Sequence, residues 1–139
     1  MIVVVDTNII FSAILNPNGV IGLKFIYPLE TLILIAPEYL KKEIWKHKSR
    51  IKKIGNYTEE DFEFLMSILL SKINFYSEEI FAEFILNHAH AIMKDGDQKD
   101  IPFVAMALFF KVNIWTGDKK LKFHLYNKGL DICVNISEI

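Results

Sequence analysis

The chain has a single cysteine, Cys133. That excludes an internal disulfide and a cysteine-rich metal site, and it fits a reducing compartment. No glycine-rich phosphate loop or nucleophile elbow occurs in its 139 residues, so nothing points to a P-loop nucleotide site or a serine hydrolase. No apolar run reaches the roughly 18 to 20 residues that a membrane span needs. No basic region followed by a long apolar stretch opens the chain, so a secretory signal is not expected and a cytoplasmic protein is. Net charge is only −1, which by itself favours no partner.

Hydrophobic residues are plentiful, at 52 %. That is ample for one core, and a single domain spanning residues 1–139 is expected. Charge is unevenly spread. Residues 41–53 hold seven basic side chains and one acid, Glu43, whereas residues 59–63 hold four acids and no base. Such runs are commonly solvated helix faces. The sharper reading is a basic surface for phosphates, carried by Lys41, Lys42, Lys46, Lys48 and Arg50.

Residues 2–5 are a continuous apolar, mostly β-branched run, the pattern of a strand buried on both faces. Asp6-Thr7-Asn8 supplies capping side chains for a helix over 9–15. A second helical piece covers 20–27. Residues 31–35 read as a strand closed by Ala36-Pro37, with Pro37 opening one helix to about residue 53. Leu40, Ile44, Ile51 and Ile54 form its apolar stripe, and Glu43 falls at the stripe's edge. Thr58 and Asp61 form a capping-box variant at the start of a helix to about residue 71. A strand at 73–76 follows, then a helix capped by Ser77 and running into the His88–His90 region. Asp100-Ile101-Pro102 begins an almost wholly apolar helix, in which Phe103, Phe109 and Phe110 read as packing. A strand at 112–115, a turn at Thr116-Gly117-Asp118, a helix over 119–126 and a strand at 131–134 complete the chain. The alternation predicts a three-layer α/β/α domain with a mainly parallel sheet.

Carboxylates recur where strands end and helices begin: Asp6, Glu43, Asp97, Asp100 and Asp118. In parallel α/β sheets, ligands sit beyond the carboxyl ends of strands. If the first and fourth strands are neighbours, these acids converge. Crowded carboxylates raise one another's pKa, and a divalent cation relieves the repulsion. Oxygen-only donors suit Mg²⁺ or Mn²⁺, whereas zinc prefers His and Cys. Two such ions about 4 Å apart can activate a water and stabilise a leaving oxygen, and hydrolysis of a nucleic-acid backbone fits best. Each acid also has a purely structural alternative. Asp6, Asp100 and Asp118 are placed to cap helices, Glu43 to pair with Lys46 or His47, and Asp97 to be an ordinary loop acid. His88 and His90, two apart on a helix, are poor partners for one metal. His47 and His124 read as surface residues or phosphate contacts, and Cys133 as an inert buried thiol.

Four blocks carry a resemblance across nearly the whole chain. They are Val3-Val4-Val5-Asp6-Thr7-Asn8-Ile9, Glu43 on the helix after the second strand, Asp97-Gln98-Lys99-Asp100-Ile101-Pro102-Phe103-Val104-Ala105-Met106-Ala107, and Ile114-Trp115-Thr116-Gly117-Asp118-Lys119-Lys120-Leu121. In that order they resemble PIN-domain proteins, in particular the toxin components of VapBC-like toxin–antitoxin systems. The resemblance implies a metal-dependent ribonuclease. Asp6, Glu43, Asp100 and Asp118 would hold Mg²⁺ or Mn²⁺, Asp97 would be an auxiliary acid, and Asn8 and Thr116 would orient ligands and water. It also implies an RNA substrate, a cognate antitoxin and a homodimer. Many relatives have a run of acids where Gln98 and Lys99 stand here, and the Lys99 cation works against a second metal. A haloacid-dehalogenase-like phosphatase would need an acid where Asn8 stands. The remaining alternative is a catalytically weak or inactive PIN-fold module that binds RNA or protein, with Lys99 plugging the acidic pocket.

Overall fold

The computed structural model describes residues 1–135 and 138–139. Five strands form one sheet in the order β3-β2-β1-β4-β5, and every pairing is parallel. They are β1 (Ile2–Val5), β2 (Ile33–Pro37), β3 (Ile73–Tyr76), β4 (Asn113–Trp115) and β5 (Cys133–Val134). Val3, Val4 and Val5 are fully buried, as expected for a central strand covered on both faces.

The described residues contain eight α-helices. Helices α1 (Thr7–Leu15), α2 (Val20–Ile26), α3 (Tyr39–Lys46), α4 (Lys48–Gly55) and α5 (Glu59–Ser71) lie in the connections that lead outward from β1 to β3. Helices α6 (Glu83–Ile92), α7 (Ile101–Phe110) and α8 (Lys119–Asn127) lie in the connections that return to β4 and β5. Right-handed crossovers in opposite directions place these two groups on opposite faces, which gives the α/β/α layers. Helix α1 accordingly packs on α2, α3, α4 and α5, and α7 on α6, β1, β2 and β4. No single helix among the described residues is long and apolar enough to cross a membrane.

The strand order creates a switch point. The chain leaves β1 in one direction to β2 and later returns past it to β4. Beyond the carboxyl ends of β1 and β4 a crevice therefore opens, the general ligand position in such sheets. The conditional adjacency of the first and fourth strands holds, with Val5 opposite Trp115.

Local signals set several boundaries as expected. Thr58 and Asp61 form a full capping box. Asp6 caps α1 by accepting from the Thr7 amide at 2.8 Å. Other boundaries differ for tertiary reasons. Pro37 ends β2, in register with Tyr76, rather than opening a helix. The expected long helix over 37–53 is two helices that meet at His47 (φ −104°, ψ 12°), where the His47 ring packs edge-on against Phe11 of α1. The break turns the apolar stripe, so Ile51 is buried while Ile54 is 59 % exposed. After Ser77 there is a short 3₁₀ turn, Glu78–Ile80, and α6 starts only at Glu83. Buried Phe81 lies between them, extended and packed on Phe109. Phe103 and Phe110 pack as expected, whereas Phe109 is partly exposed.

Candidate active site

Asp6 follows β1 directly and is only 6 % exposed. Its amide still donates to the Trp115 carbonyl at 3.0 Å, so the β1–β4 ladder holds its backbone. One carboxylate oxygen accepts from the Thr7 amide, and the other accepts from the Thr116 hydroxyl at 2.6 Å. Burial pushes its pKa up to about 6; the Thr116 and Thr7 hydrogen bonds oppose that rise, while Asp118 and Glu43 add to it.

Thr116 is the junction beneath the crevice. Its hydroxyl oxygen accepts from the Asp118 amide at 3.0 Å and from the Asn8 side-chain amide at 3.4 Å. The Asn8 side-chain oxygen Oδ1 in turn accepts from the Gly117 amide at 3.4 Å. Asn8 and Thr116 thus tie the start of α1 to the turn after β4. Asp118 caps α8 by accepting from the Lys120 and Leu121 amides at 2.9 and 3.3 Å.

Glu43 reaches the same place from the other side. It pairs with neither Lys46 nor His47; its carboxylate accepts from the Thr7 hydroxyl at 2.7 Å. Burial raises its pKa, and the Thr7 bond and the nearby charges of Lys99 and His47 pull it back. Thr7 therefore sits between two acids, bonded to Asp6 by its amide and to Glu43 by its hydroxyl. The sequence reading gave Thr7 only a capping part, because the Glu43 contact spans 36 residues.

Asp97 caps the turn Gln98–Asp100 by accepting from the Lys99 amide at 3.0 Å. Asp100 differs from the rest. Although it stands at the N-terminus of α7, its side chain makes no capping bond. Burial, then Asp6, Asp97, Asp118 and Glu43, push its pKa up to about 7. Its carboxyl thus senses all four other acids. Asp97, Asp100 and Asp118, with Lys120 and His124, line a cleft of about 290 Å³. The structural readings of Asp6 and Asp118 as caps hold, that of Asp100 does not, and Asp97, expected as an ordinary loop acid, caps a turn. A carboxylate offers about four acceptor positions, so capping leaves capacity for a ligand.

Sequence reasoning missed Tyr39. Burial and the charges of Glu43, Asp97 and Asp100 raise the pKa of its phenol, which places the ring at the same cluster, edge-on against Phe103. The available signal was its position four residues before Glu43 on α3, hence on the same helix face.

The donor set is all oxygen, which is the chemistry of a hard divalent cation. Among the described residues, however, no three His, Cys, Asp or Glu side chains are grouped closely enough to hold a metal ion. Lys99 is exposed and forms no ion pair with these acids among the described residues, although its charge acts on Glu43.

Of the five candidate phosphate contacts on α3 and α4, two are already engaged. Lys41 pairs with Glu38 and lies over the Phe75 ring, and Lys48 together with Lys52 binds Glu59. Lys42, Lys46 and Arg50 have no ion pair among the described residues.

The family model for the PIN domain matches residues 4–129 of the chain. Comparison with curated proteins found no match. Among solved structures, the chain is similar to one in the crystal structure of VapBC2 from Rickettsia felis bound to a DNA fragment from their promoter. The TM-score is 0.74 over 97 % of this chain and 98 % of that chain, at 15 % identity. At that identity the likeness is one of fold.

Proposed function

The chain belongs to the PIN-domain family, and on that premise we propose that it is a Mg²⁺- or Mn²⁺-dependent endoribonuclease, the toxin component of a type II toxin–antitoxin pair. The observation that supports this reading is that the charges of Asp6, Glu43 and Asp118 all act on Asp100, near the ends of the paired strands β1 and β4. Asp100 is the acid whose charge the other four oppose. Asp6, Glu43, Asp100 and Asp118 would hold the cation, and Asp97 would support them. When bound, the cation would supply the positive charge that polarises the scissile phosphate and activates water.

The chain's own residues set the stage for that chemistry. Thr116 holds Asp6 and the Asp118 backbone in one frame, and Thr7 fixes Glu43 relative to Asp6. Asn8 closes the turn at Gly117. These bonds position Asp6, Glu43 and Asp118 before any substrate arrives, and such preorganisation lowers the cost of ordering a charged site. The fold likeness to a chain of a VapBC2 assembly supports an antitoxin partner, and a cytoplasmic homodimer completes the proposal.

Purified protein with Mn²⁺ is expected to cleave single-stranded RNA and leave 5′-phosphate ends. Asp6→Asn is expected to abolish cleavage, as is excess EDTA. Equal cleavage by that variant, or cleavage that persists in EDTA, overturns the assignment. The non-catalytic alternative is a PIN-fold module whose acids hold no ion. Isothermal titration with Mn²⁺ separates the two, because an inactive module takes up no ion.

A further inference from the structure

Helix α8 is capped by Asp118, so its first turn adjoins the acidic cleft. Its residues sort into three rows. Leu121 and Leu125 are buried. Lys120 and His124 flank them and line the cleft. Lys119, Lys122, Phe123 and Tyr126 share the remaining face, at spacings of three, four and seven, and line one surface hollow.

That last row presents two aromatic rings to solvent. Phe123 is 68 % exposed and Tyr126 is 64 % exposed. Neither ring makes an aromatic contact among the described residues. Lys119, Lys120 and Lys122 form no ion pair there either, whereas Lys41, Lys48 and Lys52 are already matched by acids. Two unstacked rings beside unpaired cations are what a single-stranded polynucleotide meets in binding grooves: bases stack on the rings, and lysines meet the phosphates. An apolar protein partner would leave the two lysine charges unmatched.

We propose that the Lys119–Lys122–Phe123–Tyr126 face of α8 is the track along which single-stranded RNA approaches the carboxylate cleft. This rests on the ribonuclease reading above, and it moves the main RNA contact from α3 and α4 to α8. On this face Phe123 and Tyr126 each receive a base, and Lys119 and Lys122 take the flanking phosphates. Lys120, on the cleft side, offers a cation between the track and Asp118.

Cleavage of a 12-nucleotide single-stranded RNA by the full chain with Mn²⁺ tests the proposal. Wild type is compared with Phe123→Ala/Tyr126→Ala and with Lys119→Ala/Lys122→Ala. The aromatic pair variant is expected to raise KM by about fivefold or more for each stacked base, with kcat within twofold. The lysine pair variant is expected to weaken binding and to flatten the log–log salt dependence by about 1.4, two phosphate contacts at about 0.7 each. All four side chains are exposed, so unchanged thermal unfolding verifies the fold of both variants. A KM within twofold of wild type in both variants overturns the proposal and leaves the nuclease reading standing. So does a changed oligomeric mass by light scattering with KM unmoved, which would make the face a protein-docking surface. A wild-type protein that cleaves no RNA with Mn²⁺ overturns the nuclease reading, and the track with it.

Discussion

The Thr116 hydroxyl donates a 2.6 Å hydrogen bond to the Asp6 carboxylate across 110 residues of sequence, joining the ends of β1 and β4 under the cleft. The bond is buried and its acceptor is an acid, the strong class of protein hydrogen bond. Thr116→Val keeps the shape and removes the donor, and it also removes the acceptor for the Asp118 amide. A loss of about 1–3 kcal/mol is expected, with Thr116→Ser close to wild type. Urea denaturation measures both; equal stability of all three proteins would show that the bond does not hold the site together.

Asp100 carries the sharpest conflict between stability and function. Its charged form is opposed by burial and four acids, so a neutral isostere should relieve the folded protein. Asp100→Asn is expected to stabilise the metal-free protein by about 1–3 kcal/mol at pH 7.5, after allowance for solvent screening. The same change should reduce Mn²⁺-dependent cleavage by at least a hundredfold. A destabilised variant, or one with full activity, contradicts this.

The metal-free protein should lose stability as pH rises from about 5 to 7.5. Asp6 and Asp100 have folded pKa values near 6 and 7, above their ordinary 3.8. Between those limits the native state binds more protons than the unfolded chain, so the unfolding free energy falls with pH. Glu59 works the opposite way, since Lys48 and Lys52 hold it down to about 2. Its contribution is present above its ordinary 4.5 and disappears only as pH falls towards 2, outside this window. A loss of about 2 kcal/mol is expected in EDTA, and saturating Mn²⁺ at pH 7.5 should restore it. Thermal melts at the two pH values decide the sign.

Cys133 should be inert in the native protein. It is buried in β5, and burial pushes its thiol up to about 12, with Asp6 adding to the rise. The thiolate is the reactive form, so at pH 8 a thiol reagent should modify Cys133 only after denaturation. Rapid stoichiometric labelling of folded protein would contradict this placement.

The sequence alone determined the features that depend on neighbours along the chain. The Val3–Val5 run makes a strand buried on both faces, Thr58 and Asp61 close a capping box, and Asp6 and Asp118 stand at helix starts, because period, capping and propensity act over a few residues. What lay farther off depended on packing. The helix breaks at His47, where Phe11 packs against its ring, and α6 starts only after Phe81, which packs on Phe109. Glu59 draws Lys48 and Lys52 out of the basic run, and Thr7 captures Glu43. Only the tertiary structure decided that β4 lies beside β1, and therefore that Asp100 shares its surroundings with Asp6, Asp97, Asp118 and Glu43. Strand adjacency is a balance of buried area summed over the whole sheet, so no local stretch of residues encodes it.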